Sequence, residues 1–211
     1  MSARIELKYT PVGLSYPQCL QIIRQHPVSF VRAFPDRWVN NIYFDTPGLS
    51  AYYDNMSGVS VRRKYRIRWY GEDWLSLKNP VMEIKYKENQ LGGKQSFDAS
   101  NFKWEMIHES LDRIMHLGHL PNLQATLCNR YLRSYWKSMD NRFRITLDRS
   151  LSFSSPRMGL VLPTYDSDEL ICELKYDHIL RTEADFVQQY LPFRRQRFSK
   201  YVHGVITLLA P

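Results

Sequence analysis

Apolar and charged residues alternate along several short stretches of the chain. In the first of them Ile5, Leu7 and Tyr9 fall on one parity, and Glu6 and Lys8 on the other. A β-strand sends successive side chains to opposite faces, so each such stretch has one apolar face and one charged face. The string Glu-(Leu/Ile)-Lys-Tyr recurs at 6–9, 83–86 and 173–176. Lys64, Arg66 and Arg68 share a parity opposite Tyr65, Ile67 and Trp69, and the alternation continues from Arg142 to Asp148. Strands are predicted over 4–9, 39–44, 59–70, 81–88, 127–138, 143–153 and 170–176. A short helix follows Tyr16-Pro17, with Ser15 as its cap. Residues 49–55 form a short helix or turn. Phe102, Met106, Ile107, Leu111, Ile114 and Met115 recur at helical spacing over 101–117. Helices are also predicted over 182–190 and 199–209. Asp45-Thr46-Pro47-Gly48 and Gly71-Glu72-Asp73 read as turns, and Gly92-Gly93 as a loop carrying Lys94. Roughly seven or eight strands with helices between them, not spaced as βαβ units, imply an antiparallel α+β fold closed or nearly closed into a barrel.

A sheet with one wetted face would alternate in the same way. Two features favour an enclosed charged face instead. That face is predominantly cationic, whereas a merely soluble sheet mixes signs. The opposite face carries Leu, Ile, Phe, Trp and Tyr, which need cover, and the chain supplies amphipathic helices to cover them. The 211 residues, 44 % hydrophobic and 14 % aromatic, suit one domain over 1–211 with an ample core and exclude disorder. The formal charge of +8 favours an anionic partner: nucleic acid, an acidic membrane surface or phosphorylated small molecules. Nucleic-acid stacking platforms interleave aromatics and cations on one face, the reverse of the pattern here, so no nucleic acid is expected. Cys19, Cys128 and Cys172 lack ligand spacing and read as buried thiols of a reducing compartment. The N-terminus lacks the apolar core of a signal peptide, and no apolar run reaches the ~20 residues that span a bilayer. A soluble, cytoplasmic protein is expected. The six histidines show no convergent spacing; His116 and His119 are separated by Gly118, a helix-end residue.

Several charged strand faces brought together form a basic site with room for a metal. A triphosphate or polyphosphate carries several charges along a flexible rod and needs Lys and Arg aimed at successive phosphates. The candidates are Lys8, Arg66, Arg68, Lys85, Lys87, Lys94, Arg130, Arg144, Lys175 and Lys200. Mg²⁺ or Mn²⁺ would need a carboxylate or two, from Glu6, Glu83, Asp148 and Glu173. Ser199 stands where apolar helical spacing begins; as an N-cap it would place free amides and a hydroxyl near a phosphate, or serve only as an ordinary cap.

Tyr43-Phe44-Asp45-Thr46, the run Tyr65-Arg66-Ile67-Arg68-Trp69-Tyr70-Gly71, the strand Ile171-Cys172-Glu173-Leu174-Lys175 and Phe198-Ser199-Lys200-Tyr201 together resemble the VTC domain. This is the polyphosphate polymerase module of the triphosphate tunnel metalloenzyme (CYTH-like) superfamily. The resemblance covers nearly the whole chain. It implies an eight-stranded antiparallel β-barrel, the triphosphate tunnel, with helices packed outside. It also implies that Lys8, Arg66, Arg68, Lys85, Arg130, Arg144, Ser199 and Lys200 line a phosphate path, joined by Lys94, and that Glu173 holds the divalent metal. Tunnel hydrolases open with Glu-x-Glu-x-Lys; here Arg4 replaces the first Glu and leaves Glu6 as the second, a departure that leans toward polymerase chemistry.

The implied reaction is transfer of the ATP γ-phosphoryl group to inorganic polyphosphate by a metal-dependent transferase. Arg66, Arg68, Arg130, Arg144 and Lys200 act on the transferred group; Lys8, Lys85, Lys87, Lys94, Lys175 and Ser199 bind substrate; Glu173 and Glu6 hold manganese or magnesium. A tripolyphosphatase or nucleoside triphosphatase on the same fold, or a non-catalytic polyphosphate-binding module, uses the same cations. Without a membrane span, a membrane protein could still be a partner.

Overall fold

The computed structural model describes residues 4–88, 91–103, 122–156 and 165–209. Its strands are β1 (Arg4–Thr10), β2 (Val31–Asp45), β3 (Val61–Tyr70), β4 (Val81–Glu88), β5 (Leu91–Asp98), β6 (Gln124–Lys137), β7 (Phe143–Ser154), β8 (Tyr165–Ser167), β9 (Ile171–Asp177) and β10 (Arg194–Arg195). The helices are α1 (Tyr16–Arg24), α2 (Ser50–Met56), α3 (Arg181–Gln189) and α4 (Lys200–Leu209). The helix expected over 101–117 lies, from residue 104 on, outside the described residues, as do His108, His116 and His119.

The sheet runs β10-β1-β5-β4-β3-β2-β6-β7-β8, and β9 pairs with both β1 and β7. The order therefore returns on itself through eight strands, a mostly antiparallel ring in an α+β fold. The residues group into two compact units: Met1–Arg37, Tyr131–Leu151 and Ser167–Phe198 in the first, Trp38–Arg130, Ser152–Asp166 and Ser199–Pro211 in the second. Strands β2, β6, β7 and β8 contribute residues to both.

In the first unit β9 lies antiparallel between β1 and β7, pairing Leu7 with Leu174 and Ile145 with Leu174. These residues, with Tyr9, Leu147 and Cys172, form the apolar face. Cys19 and Ile23 of α1 and Ala184 and Val187 of α3 cover it. Helix α1 starts as its sequence signals: Pro17 sits in the first turn, and Gln18 Oε1 accepts from the Ser15 amide at 2.8 Å. Fully burying side chains of this size stabilises by about 1.5–3 kcal/mol each, so the alternation fixes which face points to the helices.

The second unit is built on β2, β3, β4 and β5. Ile42, Phe44, Tyr65, Ile67, Trp69, Met82 and Ile84 make its apolar face, packed with Phe102 and Leu123. Two boundaries differ from the sequence reading. Strand β2 begins at Val31 rather than near 39; Pro35 interrupts the alternation there, and it is exposed, where a strand tolerates proline. The expected Gly92-Gly93 loop is strand instead, with β5 paired to β4 from Val81–Asp98 through Glu88–Leu91. Gly93 pairs with Tyr86, and a Cβ there would fall within the Tyr86 ring. Its glycine answers to a packed aromatic, not to a turn.

Candidate anion site

Each unit carries a charged cluster on the sheet face opposite its apolar core. In the first unit the register sets Glu6 opposite Lys175, and Glu173 opposite both Lys8 and Thr146. Glu173 is 5 % exposed. Its Oε2 accepts from Lys175 Nζ at 2.7 Å, from Arg133 Nη2 at 3.3 Å and from Thr146 Oγ1 at 3.4 Å. Arg133 also grips Asp148 with two parallel bonds, Nε to Oδ1 at 2.6 Å and Nη2 to Oδ2 at 2.7 Å. Burial alone would disfavour the Arg133 charge, but Asp148 foremost among its neighbours, with Glu173, holds the guanidinium protonated even more firmly than usual. Lys8 Nζ stands 3.4 Å from Glu6 Oε1 and 3.8 Å from Glu173 Oε1, and donates to the Phe198 carbonyl at 2.9 Å.

The second cluster is laid out in cross-strand rows. One row runs Tyr43, Arg66, Glu83, Ser96 across β2, β3, β4 and β5; the next runs Lys64, Lys85, Lys94. Arg68, one rung beyond Arg66, lies opposite Asn41. Glu83 accepts from Arg66 Nε at 2.6 Å and from Lys94 Nζ at 2.6 Å, with Arg68 Nη1 at 3.8 Å. Burial pushes its carboxyl up, and Arg66, Arg68 and Lys94 together overcome that and hold it well below the usual carboxylate range. Lys64 Nζ donates to Ser199 Oγ at 2.8 Å.

Ser199 caps α4: its Oγ accepts from the Val202 amide at 3.3 Å and its carbonyl from the His203 amide at 2.9 Å. Lys200, the first residue of α4, is buried at 7 % exposure. Helix α4 meets the charged face at Tyr43, on which Tyr201 stacks with centroids 5.2 Å apart. Arg66 Nη1 donates to Tyr43 Oη at 3.2 Å. The Tyr201 hydroxyl donates to Asp45 Oδ2 at 2.5 Å, and Asp45 also accepts from the Ala51 and Tyr52 amides at the start of α2. Asp45 thus ties α2 and α4 to β2.

Strand parity brings together Glu6, Lys8, Glu173 and Lys175 in the first unit, and Arg66, Arg68, Lys85, Lys87 and Lys94 in the second, with Ser199 reached through Lys64. Arg144 is opposite Lys175 in register but exposed. Arg130 does not join them. It lies on the other face of β6, its guanidinium 4.0 Å from the Trp38 ring centroid, donating to the Glu72 carbonyl at 2.9 Å. On the charged face of the first unit β6 places Arg133, which sequence reasoning left out of the site, as it did Asn41, Asn129 and Tyr43. The offset of three between Arg130 and Arg133 reverses their parity, a signal the sequence contains once the β6 register is known.

Mg²⁺ and Mn²⁺ commonly take one or two carboxylates and complete their shell with phosphate oxygens and water. Glu6 and Glu173 are the carboxylates nearest that demand, but the Lys8 and Lys175 ammonium groups reach both of them, so an ion would have to displace these lysines. Asp148 does not fit it, because Arg133 occupies both its oxygens. Among the described residues no group of three or more His, Cys, Asp or Glu converges on one point.

The VTC domain family matches residues 3–209 of the chain. Among solved structures, a candidate adenylate cyclase from Vibrio parahaemolyticus is similar over 96 % of this chain and 98 % of its own, with a TM-score of 0.59 at 14 % identity. A second candidate adenylate cyclase, from Bacillus halodurans, is similar over the full length of both chains, with a TM-score of 0.53 at 14 % identity. At that identity the likeness speaks for the fold. Among the described residues no helix is long and apolar enough to cross a membrane.

Proposed function

Since the chain belongs to the VTC domain family and has the triphosphate tunnel fold, we propose that it is a metal-dependent phosphotransferase that moves the γ-phosphoryl group of ATP onto inorganic polyphosphate. The observation that carries this reading is the row Lys64, Lys85, Lys94 on three neighbouring strands, beside the row of Arg66. Like charges set directly opposite one another destabilise a sheet, and an anion spanning the row would reduce that repulsion beyond what Glu83 does through Lys94. A polyphosphate is an anion of that shape, repeating its charge along its length.

The reaction needs no nucleophile from the protein. A terminal oxygen of the acceptor chain forms a new bond to the γ-phosphorus as the bond from that phosphorus to the β,γ-bridging oxygen breaks, and ADP leaves with the electron pair. The protein's share is positioning and charge neutralisation in the transition state. In the second unit Arg66 and Arg68 offer guanidinium forks to phosphates, with Lys85, Lys87 and Lys94 flanking them; in the first, Lys8 and Lys175 offer charge beside Glu173. Ser199 presents its hydroxyl beside Lys64, and Lys200 sits buried next to it. Arg133 replaces Arg130 in this scheme, holding Glu173 in place, and Arg144 contributes charge from an exposed position. A divalent cation bound by Glu173 and Glu6 would supply further neutralisation of phosphate charge.

The test is incubation of the purified protein with ATP and Mn²⁺ or Mg²⁺, with and without a short polyphosphate primer. The expected outcome is a metal-dependent ladder of stained polymer with matching ADP. Free phosphate without polymer would convert the reading to a tripolyphosphatase or nucleoside triphosphatase, and binding without turnover to a polyphosphate-holding module.

A further inference from the structure

Arg68 can only donate, and that fixes the orientation of two amides behind it. Its Nε donates to Asn41 Oδ1 at 3.0 Å. Asn41 therefore turns its Nδ2 away and donates to Asn129 Oδ1 at 2.9 Å. Asn129 has its oxygen engaged by Asn41 and is left with Nδ2, a donor that has no acceptor among the described residues. Flipping either amide would set donor against donor, so the guanidinium determines the arrangement. Asn41 and Asn129 are 0 % and 1 % exposed. A buried donor left unmet is costly, and native proteins keep few of them.

The position of this donor says what it is for. Asn41 is the cross-strand partner of Arg68 on the charged face, and Asn129 joins it there, while Arg130 next along β6 turns to the opposite side. We propose that Asn129 Nδ2 is a substrate-binding donor, a neutral subsite for a phosphoryl oxygen of the anion held by Arg68, with Asn41 as its positioning partner. The proposal rests on the reading of this face as a phosphate path. A phosphoryl oxygen is a pure acceptor and matches a pure donor. A neutral amide also adds a directional bond without adding another positive charge beside Arg66, Arg68 and Lys94, whose mutual repulsion Glu83 already has to offset.

Titration calorimetry of inorganic tripolyphosphate into the full chain tests it, using wild type, Asn129→Ala and Asn129→Asp. The alanine removes the donor without changing charge; the aspartate keeps an oxygen for Asn41 but turns the donor into an anionic acceptor. The alanine is expected to weaken binding about 10-fold and the aspartate about 100-fold. If the alanine binds like wild type, the proposal is overturned, even if the aspartate is weak, because added charge alone explains the latter. Should the alanine not fold, the Asn129 side-chain NH₂ resonance of the wild type, identified by its loss in Asn129→Asp, decides. It should shift on addition of tripolyphosphate, and an unmoved resonance at saturation overturns the proposal. Failure of the wild type itself to bind tripolyphosphate would remove the phosphate-path reading and this subsite with it. Wild-type binding with an indifferent Asn129 would remove the subsite alone.

Discussion

Glu83 shows how a single residue can hold a cation cluster together. It is 4 % exposed and bonded to Arg66 and Lys94, with Arg68 close by. Removing one partner of a buried pair leaves the other charge unmet, which costs about 3–5 kcal/mol. Glu83→Gln should therefore lower stability in urea titrations by about 3 kcal/mol at neutral pH, toward the low end because Lys94 reaches solvent. Added tripolyphosphate should stabilise that variant more than wild type, since it can take over the lost neutralisation. The pH dependence follows from the depressed carboxyl. Its contribution is complete above the ordinary glutamate value of about 4.3 and is lost as the pH falls from there toward the folded value. An acid titration of wild type and Glu83→Gln should show their stabilities converging below about pH 4, and a constant gap would contradict the assignment. Arg130 makes the complementary case. Arg130→Ala should leave tripolyphosphate affinity within about twofold of wild type, whereas Arg66→Ala should lose about 100-fold; calorimetry on the pair reads this directly. The faces of Arg66, Arg68, Lys8 and Glu173 were legible because their strands alternate between one apolar side and one charged side. Arg130 was misplaced because β6 buries residues of both parities, Leu127, Cys128 and Asn129 in succession, and leaves no alternation to read.

At the scale of elements, α4 shows which constraints a sequence declares and which it hides. Its start was legible: Ser199 before an apolar helical run is an N-cap signal, and the cap bond is present. What α4 packs against was not, because contacts between distant segments leave no local trace. Gly204 carries that hidden constraint. A Cβ at this position would lie 2.5 Å from Phe153 Cδ1 and 2.7 Å from Leu127 Cδ2. Alanine favours a helix over glycine by about 1 kcal/mol, and overpacking a tight contact costs about 1–3 kcal/mol. Gly204→Ala should thus come out destabilised, by about 1 kcal/mol, in thermal or urea unfolding; a stabilised variant would mean that α4 shifts freely against Phe153 and Leu127. The same division explains β5. Its ladder to β4 is continuous, yet Leu91-Gly92-Gly93-Lys94 offers no alternation, and adjacent glycines ordinarily mark turns. Glycine required by a neighbouring ring looks, in one dimension, the same as glycine required by a bend.

The molecule as a whole carries a formal charge of +8, and its strands assemble like charges into the row of Lys64, Lys85 and Lys94. Folding gathers cations that the unfolded chain keeps apart, and Glu83 offsets part of the resulting repulsion through Lys94, so a bound anion would add to that offset. A ligand that binds only the native state adds stability by mass action, about 2.7 kcal/mol at 100 times its dissociation constant. In a domain of this size about 1 kcal/mol moves the melting temperature by roughly 2–4 °C. Tripolyphosphate at that level should therefore raise the melting temperature by about 5–10 °C. The rise should shrink as sodium chloride increases from about 50 to 500 mM, because the exposed cations are screened while the buried Arg66–Glu83 pair is not. Orthophosphate, which cannot span neighbouring rungs, should give a much smaller rise at equal concentration. Equal rises for the two anions would mean that single sites act independently and that the row of lysines does not serve one extended ligand. A rise insensitive to salt would locate the binding in the buried pairs alone.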